Sequence, residues 1–217
     1  MVFTTALETV GLYIASYSIG CLFYYVIATE KGKRKRQLLD GFLSLTLNFV
    51  IFIWIGKIAS QGLRIFHDPL ATLAYPSNAL AVYIATGLFI SHLIYRRMHK
   101  QTRDEILIPV AIPVVFATIF IYESIQILLY SDKTSLMFVV FLMVLLLIQL
   151  FRPEHLQDLN TGIYLFLIFL LGCIVFAITV GNGYATLFNY RLHLLYYISL
   201  FILIFSSFMY MKRRLNK

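Results

Sequence analysis

The feature of this sequence that most limits its fold is a series of seven long apolar segments separated by short polar stretches. A helix crosses a membrane core about 30 Å thick with roughly 20 apolar residues. The segments are residues 7–28, 42–58, 79–95, 106–130, 136–151, 162–180 and 194–211. They predict a polytopic membrane protein in which each segment forms one spanning helix.

The composition excludes other classes of protein. Hydrophobic residues make up 60% of the chain and charged residues 13%, whereas soluble domains average about 45–50% apolar and about 25% charged. The apolar runs are continuous and lack the two-residue alternation of barrel strands, and a helix satisfies its own backbone in lipid. We therefore predict an all-α bundle of seven spanning helices, with residues 1–217 as a single membrane domain.

The distribution of basic residues predicts how the bundle is oriented. Fourteen of the 18 Lys and Arg residues fall in alternate loops and the C-terminal tail, on one side of the predicted membrane. Because such residues mark the cytoplasmic side, the N-terminus is expected outside and the C-terminus inside. The basic cluster at 31–36 is expected to contact anionic lipid headgroups rather than nucleic acid. We expect a cell membrane, multi-pass location.

The sequence contains none of the familiar catalytic motifs. Cys21 and Cys173 both fall inside spans and form no Cys-x-x-Cys pair, which favours small buried apolar roles. No nucleophile elbow, zinc-protease helix or phosphate loop is present, and the five histidines are scattered. We expect no cofactor and no metal ion, and the residues leave open whether the chain is an enzyme.

Glu123 in the fourth segment is the acidic residue placed deepest in a predicted span. A charge inside a bilayer is costly and usually faces a bundle interior or a cavity. Glu123 is interpreted either as a proton acceptor or headgroup ligand, or as a structural hydrogen-bond partner. Glu8, Lys57 and His92 lie near span ends and are interpreted as interfacial anchors.

Two outer loops carry further candidate residues. His67 and Asp68 are an acid/base pair by residue type, although neighbours on an irregular loop seldom face each other. The last outer loop carries Arg191 and His193 beside aromatic residues. An Arg at this level suits a phosphate or carboxylate, and the alternative is an Arg that snorkels from an aromatic belt.

Several landmarks occur in an order that resembles the bacterial prolipoprotein diacylglyceryl transferases. Those enzymes have seven spans with the N-terminus outside, and they move a diacylglyceryl group from phosphatidylglycerol to a lipoprotein cysteine. The matching landmarks are Gly11-Leu-Tyr-Ile-Ala, Asp68-Pro-Leu, the third span ending in Arg96-Arg97, Pro109 and Pro113, Leu147-Ile-Gln-Leu-Phe-Arg, and Gly162-Ile-Tyr-Leu. The resemblance implies a bacterial cytoplasmic membrane and a phospholipid partner, with a lipoprotein or another membrane protein as a further partner.

The chain departs from that family where the family carries its charges. Tyr83-Ile-Ala stands in place of a His-Gly-Gly, and Val10-Gly11 in place of a Tyr-Gly. The other family charges and the Asn of span four are replaced at Ile119, Tyr122, Gly172, Phe176 and Thr179. The resemblance then implies that the fold is retained without the charges that stabilise a developing anion, and that Glu123 is a new feature of the same cavity.

Three functions follow from this reading. The first is lipid or lipoprotein handling at the outer face by a divergent relative of the transferases, with or without their activity. The second is a small transporter or permease subunit that uses Glu123, and the third is a non-catalytic scaffold in a membrane complex. The predicted ligand site is a lateral cavity open to the outer leaflet, lined by Tyr83, Tyr122 and Glu123, with Arg191 or His193 above it.

Overall fold

A computed structural model of the chain describes residues 2–28, 30, 32–62, 78–99, 108–130, 135–151, 159–188 and 190–215. These residues form seven α-helices and one β-hairpin. The helices are α1 Val2–Ile27, α2 Gly32–Gln61, α3 Ala79–Met98, α4 Ile108–Tyr130, α5 Ser135–Leu150, α6 Leu159–Thr179 and α7 Leu194–Leu215, and the hairpin strands β1 Tyr184–Leu187 and β2 Tyr190–His193 precede α7.

Each of the seven predicted apolar segments coincides with one helix. Five of the helices (α1, α2, α3, α4 and α6) are long and apolar enough to cross a membrane. The apolar stretches of α5 and α7, Leu136–Leu150 and Leu194–Tyr210, are shorter. The chain is therefore a helical protein whose described residues are compatible with a membrane location, and seven as the number of spans stays a prediction.

Helix α2 begins ten residues before the segment predicted for it, because the basic cluster is helical rather than a loop. Lys and Arg are good helix formers, so nothing in the cluster stops the helix. The Lys35 ammonium group donates a hydrogen bond to the Tyr25 carbonyl (2.8 Å) and lies 4.8 Å from the centre of the Tyr25 ring. The start of α2 is thereby fixed to the end of α1.

Helices α4 and α6 form the centre of the bundle. About half of each apolar stretch is buried (56% and 50%), whereas 11–17% of the stretches in α1, α2 and α3 is buried. Phe116 and Ile119 of α4 pack with Phe169 and Cys173 of α6 in the main apolar core. A polar side chain on α4 is therefore held among other helices rather than presented to lipid.

Helix α1 approaches α4 closely at Ser16 and Gly20, which are four residues apart on one face. This small-xxx-small spacing lets helix backbones meet in membranes. Ser16 is fully buried. A Cβ atom added at Gly20 would lie 2.7 Å from the Val114 carbonyl oxygen and 3.2 Å from the Thr118 amide nitrogen. The position therefore excludes any side chain.

Gly20→Ala is expected to lower the free energy of unfolding by about 1–3 kcal/mol, because the backbone of α4 must move to make room for the methyl group. The matched control is Gly11→Ala in the same helix, where an added Cβ has no atom within 4 Å. That control should be neutral or stabilising by about 0.5–1 kcal/mol, because alanine favours the helix. Thermal unfolding in detergent measures both, and equal effects would contradict the close approach.

Candidate functional site

The β-hairpin begins with a sharp chain reversal at the end of α6. The Gly181 amide donates to the Phe176 carbonyl (3.1 Å) and the Gly183 amide to the Ala177 carbonyl (2.8 Å). Asn182 and Gly183 both have positive φ angles, 49° and 89°, a conformation that asparagine and glycine adopt most readily. The sequence Gly-Asn-Gly at 181–183 thus turns the chain back over the bundle.

The hairpin has a buried face and an exposed face, as expected for side chains that alternate along a strand. Ala185 and Leu192 are paired across the strands, and both are nearly fully buried. Tyr184 and Arg191 are exposed, and the Arg191 guanidinium lies 5.4 Å from the centre of the Tyr184 ring. The hairpin therefore packs its apolar face onto the ends of the helices.

Three tyrosine hydroxyls, each from a different helix, bind the hairpin backbone. Tyr13 of α1 donates to the Phe188 carbonyl at 2.7 Å, and Tyr197 of α7 donates to the Ala185 carbonyl at 3.2 Å. Tyr83 of α3 accepts a hydrogen bond from the His193 amide at 2.9 Å. These contacts attach the hairpin to the bundle without any charged group.

Phe188 at the hairpin tip packs against one aromatic side chain of α1 and one of α4. The rings of Tyr13, Tyr122 and Phe188 touch one another, with centroids 5.0 Å apart for Tyr13–Tyr122, 5.8 Å for Tyr13–Phe188 and 5.3 Å for Tyr122–Phe188. We call these three rings the aromatic cap. Phe188 has a φ of +52°, which is unfavourable for a bulky residue, so the contacts of its ring must offset backbone strain.

Glu123 lies next to the aromatic cap, on the helix that is most buried. Its side chain is 4% exposed. Tyr13 and Tyr122 of the cap, and Tyr197 of α7, lie near enough to interact electrostatically with its carboxyl group. The carboxyl is therefore buried in the end of the bundle that the hairpin covers, near three phenol groups, of which Tyr13 and Tyr197 already donate their protons to hairpin carbonyls.

The structure brings some of the predicted site residues together and separates one of them. The Tyr83 hydroxyl binds the backbone amide of His193, not its imidazole, and Tyr122 and Glu123 are neighbours on α4 with both side chains buried. His193 also packs its ring against Tyr184, and its Nδ1 accepts a hydrogen bond from the Leu195 amide. Arg191 lies on the exposed face of the hairpin, on the opposite side from Leu192.

Sequence reasoning missed Tyr13, Phe188 and Tyr197, which hold the hairpin in place. Phenol and phenyl groups carry no signal of their own in a chain with 15 Tyr and 19 Phe residues. A usable signal was present after Gly-Asn-Gly at 181–183, where Tyr190 and Leu192 alternate with the polar residues Arg191 and His193. The segment was predicted as an outer loop, and the structure corrects it to a β-hairpin because its inner face is apolar.

The remaining predicted residues do not join this site. Cys173 is fully buried and Cys21 partly exposed, in keeping with small packing residues. His67, Asp68 and the side chain of Glu8 lie outside the described residues. Among the residues that are described, no three His, Cys, Asp or Glu side chains gather as a metal ion would require.

Two positions that the predicted resemblance aligns with charged residues of the transferases are packed apolar positions here. Ile119 and Phe176 are 1% and 8% exposed and belong to the main apolar core. No family model matches this sequence, and no curated protein or solved structure is significantly similar to it. The resemblance to the diacylglyceryl transferases therefore stays a prediction from the motifs.

Proposed function

We propose that this protein handles a membrane lipid at the outer end of a seven-span bundle, with the headgroup reaching Glu123 beneath the β-hairpin. In this proposal the N-terminus and the hairpin lie outside and the C-terminus in the cytoplasm. The observation that carries it is a carboxyl group that is 4% exposed on the central helix. A carboxylate accepts hydrogen bonds from hydroxyl or ammonium groups, which are the distal groups of common phospholipids.

The attachment of the hairpin supports a site that opens. It is held by three hydrogen bonds to tyrosines, by the packing of the aromatic cap and by the burial of Ala185 and Leu192 in the main apolar core. Opening of the tip alone would break the Tyr13 hydrogen bond, worth about 1 kcal/mol net, and the contacts of Phe188, which is far less costly than unfolding the bundle. Displacing the tip would uncover the rings of Tyr13 and Tyr122 beside Glu123 without moving a helix.

The packing of the former charge positions favours lipid handling over lipid transfer. A transferase must stabilise the negative charge that develops during reaction, usually with preorganised donors or cations. Ile119 and Phe176 offer neither and are packed in the core. We therefore propose a distant relative of the diacylglyceryl transferases that binds or presents a lipid, or the lipid-modified end of a protein, without the parent chemistry.

A photoactivatable phosphatidylglycerol and a photoactivatable phosphatidylethanolamine test this proposal in nanodiscs that contain the full chain. At least one of them should cross-link to α4 or to the hairpin, and Glu123→Gln should reduce that cross-linking about tenfold. Ser124→Ala is the matched control, because the Ser124 hydroxyl donates to the Phe120 carbonyl of its own helix. Equal labelling of wild type, Glu123→Gln and Ser124→Ala would contradict the proposal.

A proton-coupled carrier is the second candidate, because Glu123 is a nearly fully buried acid on the most enclosed helix. Buried ionisable residues in membranes often serve as proton relays. Proteoliposomes with an imposed pH gradient and a pH-sensitive dye inside distinguish the two candidates. A carrier should dissipate the gradient when its substrate is present and lose this property in Glu123→Gln, whereas the lipid-handling protein should leave the gradient unchanged.

A further inference from the structure

A second polar site lies between α2 and α3, on a different part of the molecule from Glu123. It is a groove of about 420 Å³ lined by Asn48 of α2 and by His92, Tyr95 and Arg96 of α3. We call it the α2–α3 groove. Its volume falls within the range of about 300–1,000 Å³ that is usual for ligand pockets. Each of the four lining residues carries a polar group.

The groove lies toward the basic ends of the two helices. They run antiparallel: a Cβ added at Gly56 of α2 would meet Ala81 of α3, whereas Phe49, seven residues earlier in α2, packs against Phe89, eight residues later in α3. Phe52 also packs against Phe89 and His92. The start of α2, with its basic cluster, is therefore at the same end as the Arg96 end of α3. In the proposed orientation this is the cytoplasmic half of the membrane.

The lining of the α2–α3 groove is suited to an anion. It offers a guanidinium, an imidazole, a phenol and an amide, and it contains no carboxylate. The His92 Nε2 atom is buried and has no hydrogen-bond partner among the described residues. A buried polar atom of this kind is costly unless it is paired, so an acceptor oxygen placed in the groove would satisfy it.

Apolar side chains continue from the groove along the same helix faces. Ile51 and Ile55 follow Asn48 at three and seven residues, and Leu88 precedes His92 by four, spacings that share a helix face. All three side chains are exposed, at 54%, 44% and 37%. A ligand with a polar head in the groove would thus find an apolar stripe leading along α2 and α3, away from their basic ends.

We propose that the α2–α3 groove binds the phosphate of an anionic phospholipid, with the acyl chains lying along Ile51, Ile55 and Leu88. The phosphate would accept hydrogen bonds from Arg96 and His92, since guanidinium groups bind phosphate oxygens well. Basic pockets between helices on the cytoplasmic side bind such headgroups in other membrane proteins. This inference does not depend on the proposed function, because no residue is shared with the site at Glu123.

Native mass spectrometry of the full chain in detergent, titrated with phosphatidylglycerol and separately with phosphatidylcholine, tests the inference. Wild type should retain phosphatidylglycerol in preference to phosphatidylcholine. Arg96→Gln should reduce retention of phosphatidylglycerol about tenfold. Arg191→Gln is the matched control, because it removes one exposed arginine from the other end of the bundle. Equal retention by the two variants would overturn the proposal.

Further variants keep the test decisive if Arg96→Gln fails to fold. His92→Phe keeps a ring against Phe52 but removes the imidazole, and it should lower phosphatidylglycerol retention several-fold while thermal stability is unchanged. Arg96→Lys keeps the charge and should restore part of the binding. If His92→Phe folds and retains phosphatidylglycerol like wild type, the proposal is wrong.

A competition experiment with inorganic phosphate tests whether the groove recognises a phospholipid or free phosphate. Inorganic phosphate at millimolar concentration should leave phosphatidylglycerol bound, because the apolar stripe contributes only to binding of the lipid. Displacement of the lipid by millimolar phosphate would show that the groove recognises the free anion, and it would overturn the assignment of a phospholipid.

Discussion

Replacing Phe188 with alanine is expected to release the β-hairpin from the bundle and to lower the free energy of unfolding by about 2–3 kcal/mol. The Phe188 ring contacts both other members of the aromatic cap, Tyr13 and Tyr122. Full truncation of a buried phenylalanine costs about 3–5 kcal/mol. Phe188 is only partly buried, so the expected loss is smaller.

A glycine substitution separates the contribution of the ring from that of the backbone. Phe188 has a φ of +52°, and alanine meets nearly the same steric strain there, whereas glycine adopts positive φ readily. Phe188→Gly should therefore be more stable than Phe188→Ala by about 1 kcal/mol. If glycine is the less stable of the two, the backbone of the tip does not have this conformation.

Two further variants serve as controls for the cap. Tyr184→Ala removes a ring from the exposed face of the hairpin and should change stability by less than about 1 kcal/mol, as surface substitutions usually do. Tyr13→Phe removes the hydroxyl that binds the Phe188 carbonyl but keeps the ring, so a loss of about 1 kcal/mol is expected. Hydrogen exchange of the amides in residues 184–193 should accelerate least in Tyr184→Ala, more in Tyr13→Phe and most in Phe188→Ala.

The helices could be predicted from the sequence because continuous apolar runs favour one kind of element. A helix satisfies its backbone polar groups within its own segment, so an uninterrupted apolar run such as Phe138–Leu150 favours a helix wherever its partners lie. The positions of the helices followed from length and hydropathy alone. Their ends followed less well, since the basic residues at the start of α2 are as compatible with a helix as with a loop.

The hairpin and the aromatic cap could not be predicted in the same way, because they depend on contacts between distant parts of the chain. Tyr13 and Phe188 are 175 residues apart in sequence, and neither residue type indicates a partner. Glu123 could be recognised because a carboxylate in a span always requires an explanation. The rings that surround it are as common in lipid-facing positions as in sites.

The α2–α3 groove could not be predicted from the sequence either. His92 was interpreted as an interfacial anchor, and Asn48 was not singled out, because each is a lone polar residue in its segment. Only the antiparallel packing of α2 on α3 places the two side chains in one groove. A site of this kind depends on which helices pack together, and the hydropathy of the sequence does not indicate that pairing.

Replacing Glu123 with leucine is expected to abolish the lipid cross-linking that depends on this residue, while the free energy of unfolding changes by less than about 2 kcal/mol. The substitution removes the cost of desolvating a buried carboxyl group, but it also removes the interactions of that group with its neighbours, and these two effects oppose each other. A residue kept for function rather than stability should show a large change in the first measurement and a small one in the second. Thermal unfolding in detergent and cross-linking in nanodiscs are measured on the same preparations.

Gln149→Leu is the matched control for this prediction, because Gln149 is the other large polar side chain of the spans that is nearly fully buried, at 8% exposure. Both of its amide atoms lack hydrogen-bond partners among the described residues, so leucine should stabilise α5 without any loss of cross-linking. A loss of more than about 2 kcal/mol in Glu123→Leu would instead identify the carboxyl as a structural partner of a neighbouring helix, since removing one member of a buried polar pair is strongly destabilising. In that case Glu123 would serve the packing of α4, and the lipid-handling site would have to be sought elsewhere in the bundle.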